Sequence, residues 1–203
     1  MARMSATDRR EALARAALTV VARDGIQAAT TRAIVAEAGM PLASFHYAVP
    51  SREDLLRDVV ELVVAGEGAA TFGSLAIEAD DIRGAIRSVL GSYLDLVRAD
   101  PGREQAMFEL TQHALRSPGL ADLPAAQYAA YRELATTLLQ VGADRYRVRW
   151  DVPLGDLAVL ATALSDGATL GWLATRNDDA AERLLDLAAD TLASHATPLK
   201  EPS

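Results

Sequence analysis

Residues 30–47 read Thr30-Thr31-Arg32-Ala33-Ile34-Val35-Ala36-Glu37-Ala38-Gly39-Met40-Pro41-Leu42-Ala43-Ser44-Phe45-His46-Tyr47. Two short segments of helical spacing flank a single glycine. Thr31 is expected to cap the first, which runs to Ala38. Gly39, lacking a Cβ, can take the positive φ that a tight turn between helices demands. Met40 then plugs back toward the core. Pro41 opens the second segment, because its missing N–H costs nothing in a first turn. A helix this short is unstable alone and must be held by packing. Ile34, Met40 and Phe45, with Leu13, Val20 and Ile26, can form a compact core beneath it. Leu42, Ala43, Ser44, His46 and Tyr47 are left pointing away from that core. This is the pattern of a helix-turn-helix.

Reading outward, Leu13, Ala17, Val20 and Val21 share one face of a first helix. Ser5 with Asp8 forms a capping box at its start, and Gly25 is its stop. On the other side, Ser51 with Asp54 caps a fourth helix carrying Leu55, Leu56, Val59, Leu62 and Val63. Gly66 to Asp81 holds three glycines and reads as a helix end or bend. Helices are then expected over 82–99, 102–116, 122–143, 154–176 and 179–195. Arg145 to Val152 alternates basic and apolar residues. It reads as an extended linker or as a last turn of helix, since one isolated strand is marginal in water. The expected fold is all-α, with a domain over 1–57, a second over 58–196 and a disordered tail over 197–203.

The chain has 203 residues, of which 50 % are hydrophobic and 24 % charged, the composition of a folded domain. It has no cysteine, which excludes disulfides, thiolate metal sites and a cysteine nucleophile. The net charge of −8 is unevenly placed. Residues 1–57 hold eight arginines and six carboxylates, a net of +2, and the remainder carries −10. That asymmetry predicts two modules with different partners. Met1-Ala2-Arg3-Met4-Ser5 turns polar at once, so no signal peptide is expected. No apolar run is expected to reach the roughly 18 to 20 residues of a membrane span. A soluble cytoplasmic protein without a membrane partner is the resulting expectation.

The landmarks Gly25-Ile26, Thr30-Thr31-Arg32, Ala38-Gly39-Met40, Phe45-His46-Tyr47 and Pro50-Ser51-Arg52-Glu53-Asp54-Leu55 occur in this order. With these spacings, residues 9–55 resemble the TetR family of transcriptional regulators. Residues 58–203 are similar only in length and helical character. The resemblance implies a DNA-binding face. In it Thr31 meets a phosphate, Arg32 reaches a base edge, and Leu42, Ala43 and Ser44 face the bases. His46 and Tyr47 match the aromatic pair that grips the backbone, and Arg52 stands where the family usually has lysine and would bind a phosphate. Three departures stand out: Val35 for a small residue, His46 for tyrosine and Val49 for phenylalanine. His46 in that place is expected to make DNA affinity depend on pH.

The resemblance further implies a homodimer on a palindromic operator, its two recognition helices about 34–36 Å apart. A small-molecule effector of unknown identity would release this repressor by favouring a dimer of different spacing. Tyr93, Phe108, Glu109, His113, Tyr128 and Trp172 are the candidates for lining its pocket. Leu157, Leu160, Ala161, Leu164 and Ala168, with Leu184, Ala188 and Leu192, form stripes suited to a four-helix dimer interface, the preferred reading, with burial within one subunit as the alternative. Glu109 and His113, four residues apart, could ligate a metal. The three histidines complete no metal motif, so a polar contact in or near a pocket is the favoured reading, and neither metal nor cofactor is expected. No nucleophile elbow, glycine-rich phosphate loop or paired carboxylates support an enzyme. The competing reading is a helical ligand-binding or adaptor protein with weak or lost DNA binding.

Overall fold

The computed structural model describes residues 4–74 and 79–199. Its nine α-helices among these residues are α1 Ala6–Asp24, α2 Thr31–Glu37, α3 Leu42–Ala48, α4 Arg52–Ser74, α5 Ile82–Ala99, α6 Pro101–Ala114, α7 Leu123–Tyr146, α8 Leu154–Thr175 and α9 Asp178–Ala193. Short 3₁₀ turns occupy Ile26–Ala28 and Pro118–Leu120. The all-α expectation holds, with two details revised. Thr30, not Thr31, caps α2, its hydroxyl accepting from the Ala33 N–H at 3.2 Å. Pro41 precedes α3 as its N-cap residue and lies outside its first turn.

The chain divides into two compact units that interleave in sequence. One joins residues 1–66 with 100–127, and the other joins 67–99 with 128–203. A boundary at residue 57 does not mark either unit, because α6 packs with α1 across nearly 80 residues of intervening chain.

In the first unit α1 starts at the predicted capping box. The Ser5 hydroxyl accepts from the Asp8 N–H, and Asp8 accepts from the Ser5 N–H. Leu13, Ala17 and Val20 bury one stripe of α1 against Ile34 of α2, Phe45 of α3, Leu55 and Leu56 of α4, and Leu110 of α6. Met40 packs against the edge of this cluster. Each fully buried side chain of this kind stabilises the fold by roughly 1.5–3 kcal/mol relative to its exposed state.

The second unit is built around Leu90, Leu94 and Val97 of α5, Leu157 and Trp172 of α8, and Leu185 and Leu192 of α9. Its α5–α9 seam carries ion pairs. Arg83 meets Asp186 and Asp190, Arg87 meets Asp186 and Glu182, and Arg98 meets Asp178 and Glu182. All seven residues of this network are on α5 and α9, whose other faces supply the apolar stripe.

Three expectations need refinement. The helix end expected between Gly66 and Asp81 is there, α4 stopping at Ser74 and α5 starting at Ile82, but α4 runs through Gly66, Gly68 and Gly73 before it stops. Each glycine costs the helix about 1 kcal/mol relative to alanine. Second, the segment after α7 is a strand and not a linker. Val148–Trp150 (β1) pairs antiparallel with Ala196–Pro198 (β2), in the register Val148 to Pro198 and Trp150 to Ala196. Thr197 and Pro198 are therefore ordered, and Lys200 to Ser203 lie outside the described residues. The ribbon is anchored by Trp150, whose indole N–H donates to the Leu139 carbonyl at 3.3 Å. Third, α8 is by length and composition apolar enough to cross a bilayer. Leu157, Ala158, Ala168, Thr169 and Trp172 nevertheless lie in the second unit's core, so α8 is a packed helix with a large apolar excess.

Candidate functional site

The helix-turn-helix has the predicted geometry. Gly39 takes φ +63°, its N–H donates to the Ala36 carbonyl at 3.1 Å, and the Met40 N–H donates to the Val35 carbonyl at 2.8 Å. A side chain at Gly39 would meet no neighbour within 4 Å, so only the backbone angle restricts the position. Phe45 and Val49 are buried and pin α3 to α1. Val35, one of the departures from the family pattern, is also buried and is accommodated where α2 meets α3. Arg23 ties the end of α1 to α2 through Glu37 at 2.8 Å.

The outward face contains the residues singled out in the sequence. Leu42, Ala43, His46 and Tyr47 are exposed, Tyr47 by 83 %, while Thr31 and Ser44 are half-buried. The Phe45 ring meets the His46 ring edge-on at 5.8 Å. Arg32, at the start of α2, is exposed and enters no hydrogen bond or ion pair among the described residues. Most other arginines of this unit are spent internally: Arg10 on Asp58, Arg15 on Glu11, Arg23 on Asp24 and Glu37, Arg57 on Asp122.

Arg52 differs from its expected role. Its Nε donates to the Ala29 carbonyl and its Nη2 to the Ile26 carbonyl, each at 2.8 Å. The guanidinium thus clamps the 3₁₀ turn between α1 and α2, leaving three of its five N–H groups uncommitted. Glu109 closes the same turn from the other side, Oε1 accepting from the Ile26 N–H at 2.9 Å. A Cβ on Gly25, which has φ +84°, would sit 3.2 Å from that oxygen, so the turn needs glycine for both reasons. Ser51 caps α4 reciprocally with Asp54.

A separate cavity of about 920 Å³, its mouth included, lies within the second unit. Its wall is mainly leucine, alanine, isoleucine and valine, with Tyr93, Tyr131, Glu67 and Asp166 as its larger polar residues. Asp166 accepts a hydrogen bond from the Tyr128 hydroxyl at 2.7 Å. Burial pushes its carboxyl above the ordinary carboxylate range, against the opposing pull of that hydrogen bond. Burial and the same contact push the Tyr128 phenol up to about 12, so it remains a donor.

Of the six residues expected in the pocket, Tyr93 lines it and Tyr128 holds the lining residue Asp166. Phe108, Glu109 and His113 belong to the first unit. There His113 contacts Ser117, and no metal-holding group occurs among the described residues. Trp172 is locked at the α8–α9 junction, donating to Asp178 at 2.8 Å with Arg176 stacked 4.4 Å above its ring. The overlooked residues had a signal: Asp166 is the lone charge between Leu157 and Thr175, and Glu67 is the lone one between Leu62 and Ser74.

The expected dimer stripe is turned inward. Leu157, Ala168, Ala188 and Leu192 are buried, and Leu160, Ala161, Leu164 and Leu184 pack partly against the same core, with Ala161 also lining the cavity. The exposed apolar residues of these helices lie on other faces: Val159 at 51 % and Leu170 at 57 % on α8, Leu187 at 63 % on α9. Helical phase favours burying the wider stripe inside the unit, which leaves the narrower one outside.

Comparison with known proteins matches two stretches of the chain. Residues 13–59 match the family described as bacterial regulatory proteins, tetR family, and residues 82–197 match the BetI-type transcriptional repressor C-terminal family. The chain is 27 % identical over 192 residues to the HTH-type nicotine-responsive transcriptional repressor HdnoR of Paenarthrobacter nicotinovorans, covering 93 % of this chain and 95 % of that one. Its fold resembles a TetR-family transcriptional regulator from Rhodococcus sp. at TM-score 0.78 and 21 % identity, covering 92 % and 98 % of the two chains. It also resembles the multidrug binding protein EbrR, solved with imidazole, at TM-score 0.65 and 26 % identity, covering 91 % and 89 %. An exposed recognition helix on a packed N-terminal unit, and family matches across both parts of the chain, place this protein in the tetR family of bacterial transcriptional repressors.

Proposed function

We propose that the protein is a homodimeric repressor that holds a palindromic operator and is released by a small organic effector. The observation that carries the DNA reading is the outward face of α2 and α3. There a lone uncommitted arginine, Arg32, accompanies the exposed Leu42, Ala43, His46 and Tyr47. An aromatic left 83 % exposed on a seven-residue helix has no folding role, and it suits contact with a sugar-phosphate backbone. Thr31 and Ser44 border that face. The assignment of Arg52 narrows to a clamp on the recognition unit. The acidic remainder of the chain disfavours DNA elsewhere, which directs the nucleic acid to this face.

Support for the dimer comes from the exposed apolar residues of α8 and α9, Val159, Ala163, Leu170 and Gly171 on the first and Leu187 on the second. A second copy of the same pair of helices would cover them in an isologous contact. Support for the effector comes from the cavity, whose largely apolar wall carries a few polar groups, as small-molecule sites do. The relative HdnoR is nicotine-responsive and the neighbour EbrR is a multidrug binding protein. The effector changes operator occupancy only through its different affinities for the DNA-competent and incompetent dimers. Such regulation places the protein with the chromosome, in the cytoplasm.

The test is fluorescence anisotropy of the full-length protein on DNA flanking its own gene, against scrambled competitor, across a salt series. Competitor-resistant binding at two chains per site, with a log–log salt slope of roughly −0.9 for each neutralised phosphate, is the expected result. Binding no tighter than to scrambled DNA in a genome-fragment selection would instead favour a ligand-binding protein that has lost its operator.

A further inference from the structure

The cavity of the second unit has an uneven chemistry. Its wall contains two carboxylates, Asp166 on α8 and Glu67 on α4, and no lysine, arginine or histidine. Glu67 is only 3 % exposed to solvent. Placing a carboxylate in a largely apolar wall costs several kcal/mol unless charge or hydrogen bonds offset it. For Asp166 the offset among the described residues is one hydroxyl, that of Tyr128, and no cation pairs with it.

A carboxylate that the fold burdens with burial and leaves without a counter-ion is a destabilising feature unless something else supplies the charge. The Asp166 charge repels an anion, and a neutral ligand would leave its imbalance in place. Tyr93 and Tyr131 add aromatic rings to the same wall, whose faces attract a desolvated cation. The apolar remainder suits a ligand whose charge is carried on a hydrocarbon or aromatic body.

Resting on the reading of this cavity as the effector site, we propose that the effector is an organic cation: an apolar, ring-bearing molecule whose positively charged nitrogen is neutralised by Asp166, with Glu67 as the second carboxylate of the site. Occupancy then supplies the counter-charge that the fold omits, and specificity follows from sign as much as from shape. The bound nitrogen sits where the α7 and α8 walls meet, because Tyr128 and Asp166 are joined there.

The experiment titrates the full-length protein with three probes that share one ring system and differ in charge: (1-naphthylmethyl)trimethylammonium, 1-naphthylmethanol and 1-naphthylacetate, read by naphthalene fluorescence and calorimetry. The cation is expected to bind at least about tenfold more tightly than the alcohol, with the acetate weakest. Asp166→Asn is expected to weaken the cation about tenfold and leave the alcohol unchanged. Glu67→Gln gives a second, independent variant should the first fold poorly, with circular dichroism checking both. Equal binding of cation and alcohol would overturn the charge assignment and leave the effector cavity standing. A preference for the cation that survives both substitutions would overturn it too, by placing the cation on the acidic surface. Absence of saturable binding by all three probes would overturn the cavity reading itself together with this proposal.

Discussion

Replacing Arg52 separates a structural clamp from a phosphate anchor. In the structure its Nε and Nη2 each donate at 2.8 Å to carbonyls of Ala29 and Ile26, residues that are themselves buried. A hydrogen bond from a charged donor contributes about 1.5–3 kcal/mol when buried, and the half-buried position of Arg52 brings each toward or below the lower end. Arg52→Ala therefore costs about 2 kcal/mol, because both carbonyls lose their partner and water reaches them only in part. Arg52→Lys keeps the charge but offers a point donor in place of a planar fork. It can satisfy one carbonyl, so it costs about 1 kcal/mol. For a chain of this length these losses lower Tm by roughly 4–8 °C and 2–4 °C. Differential scanning calorimetry in the absence of DNA measures both. In parallel, the salt slope of operator binding, measured well below the lowered Tm, is expected to stay within about half a contact of the wild type. A phosphate anchor predicts the reverse pattern. Both variants would melt with the wild type, Arg52→Ala would flatten the slope by roughly 0.9, and Arg52→Lys would behave normally on DNA. That pattern would refute the clamp.

Arg32 has no internal partner, so Arg32→Ala is expected to leave Tm unchanged and to cost about 1–3 kcal/mol of operator affinity with relaxed preference at one base pair. A binding-site selection that returns the wild-type consensus would refute base reading by this residue. Leu170→Glu combined with Leu187→Glu places charge on the outward apolar face of α8 and α9. Sedimentation should then show a monomer with wild-type circular dichroism, and a surviving dimer would move the interface elsewhere. The pH dependence of Asp166 has a definite sign. Burial raises its folded-state pKa above the unfolded value, so the folded state holds this proton more tightly. Its contribution to stability is greatest below the ordinary value of 3.8 and is lost as pH rises through the raised one. Asp166→Asn cannot ionise and can still accept from Tyr128, whose phenol stays protonated throughout this window. The Tm of the variant relative to wild type should increase between pH 4 and pH 7, and a constant difference across that range would rule out burial as the cause.

Local chemistry by itself determined the helices and the recognition unit. The Ser5–Asp8 capping box, the Gly39 turn at φ +63° and the apolar spacing of α5 to α9 depend on residues within a few positions of one another. Such signals survive in a bare sequence because they act through backbone geometry and helical period. The outward set Leu42, Ala43, Ser44, His46 and Tyr47 followed by subtraction, once Phe45 and Ile34 were taken by the core, whereas Arg32 followed from the family resemblance.

Only the tertiary structure decided what depends on partners distant in the chain. Arg52 has the same charge whether it faces a phosphate or the carbonyls of Ile26 and Ala29, more than 20 residues back, and only the packed turn selects between them. Glu109 suited a pocket by its residue type, with a metal the less favoured reading, until α6 joined the first unit and brought it to the Ile26 N–H. The α8 stripe could bury inward or outward, because an alanine- and leucine-rich helix is apolar on nearly every face and its period alone does not say which face a neighbour covers. Trp150 pairs with Ala196 for a like reason: a strand needs a partner, and this one arrives 46 residues later. Periodicity specifies which residues share a face, and the assembled core specifies what that face meets.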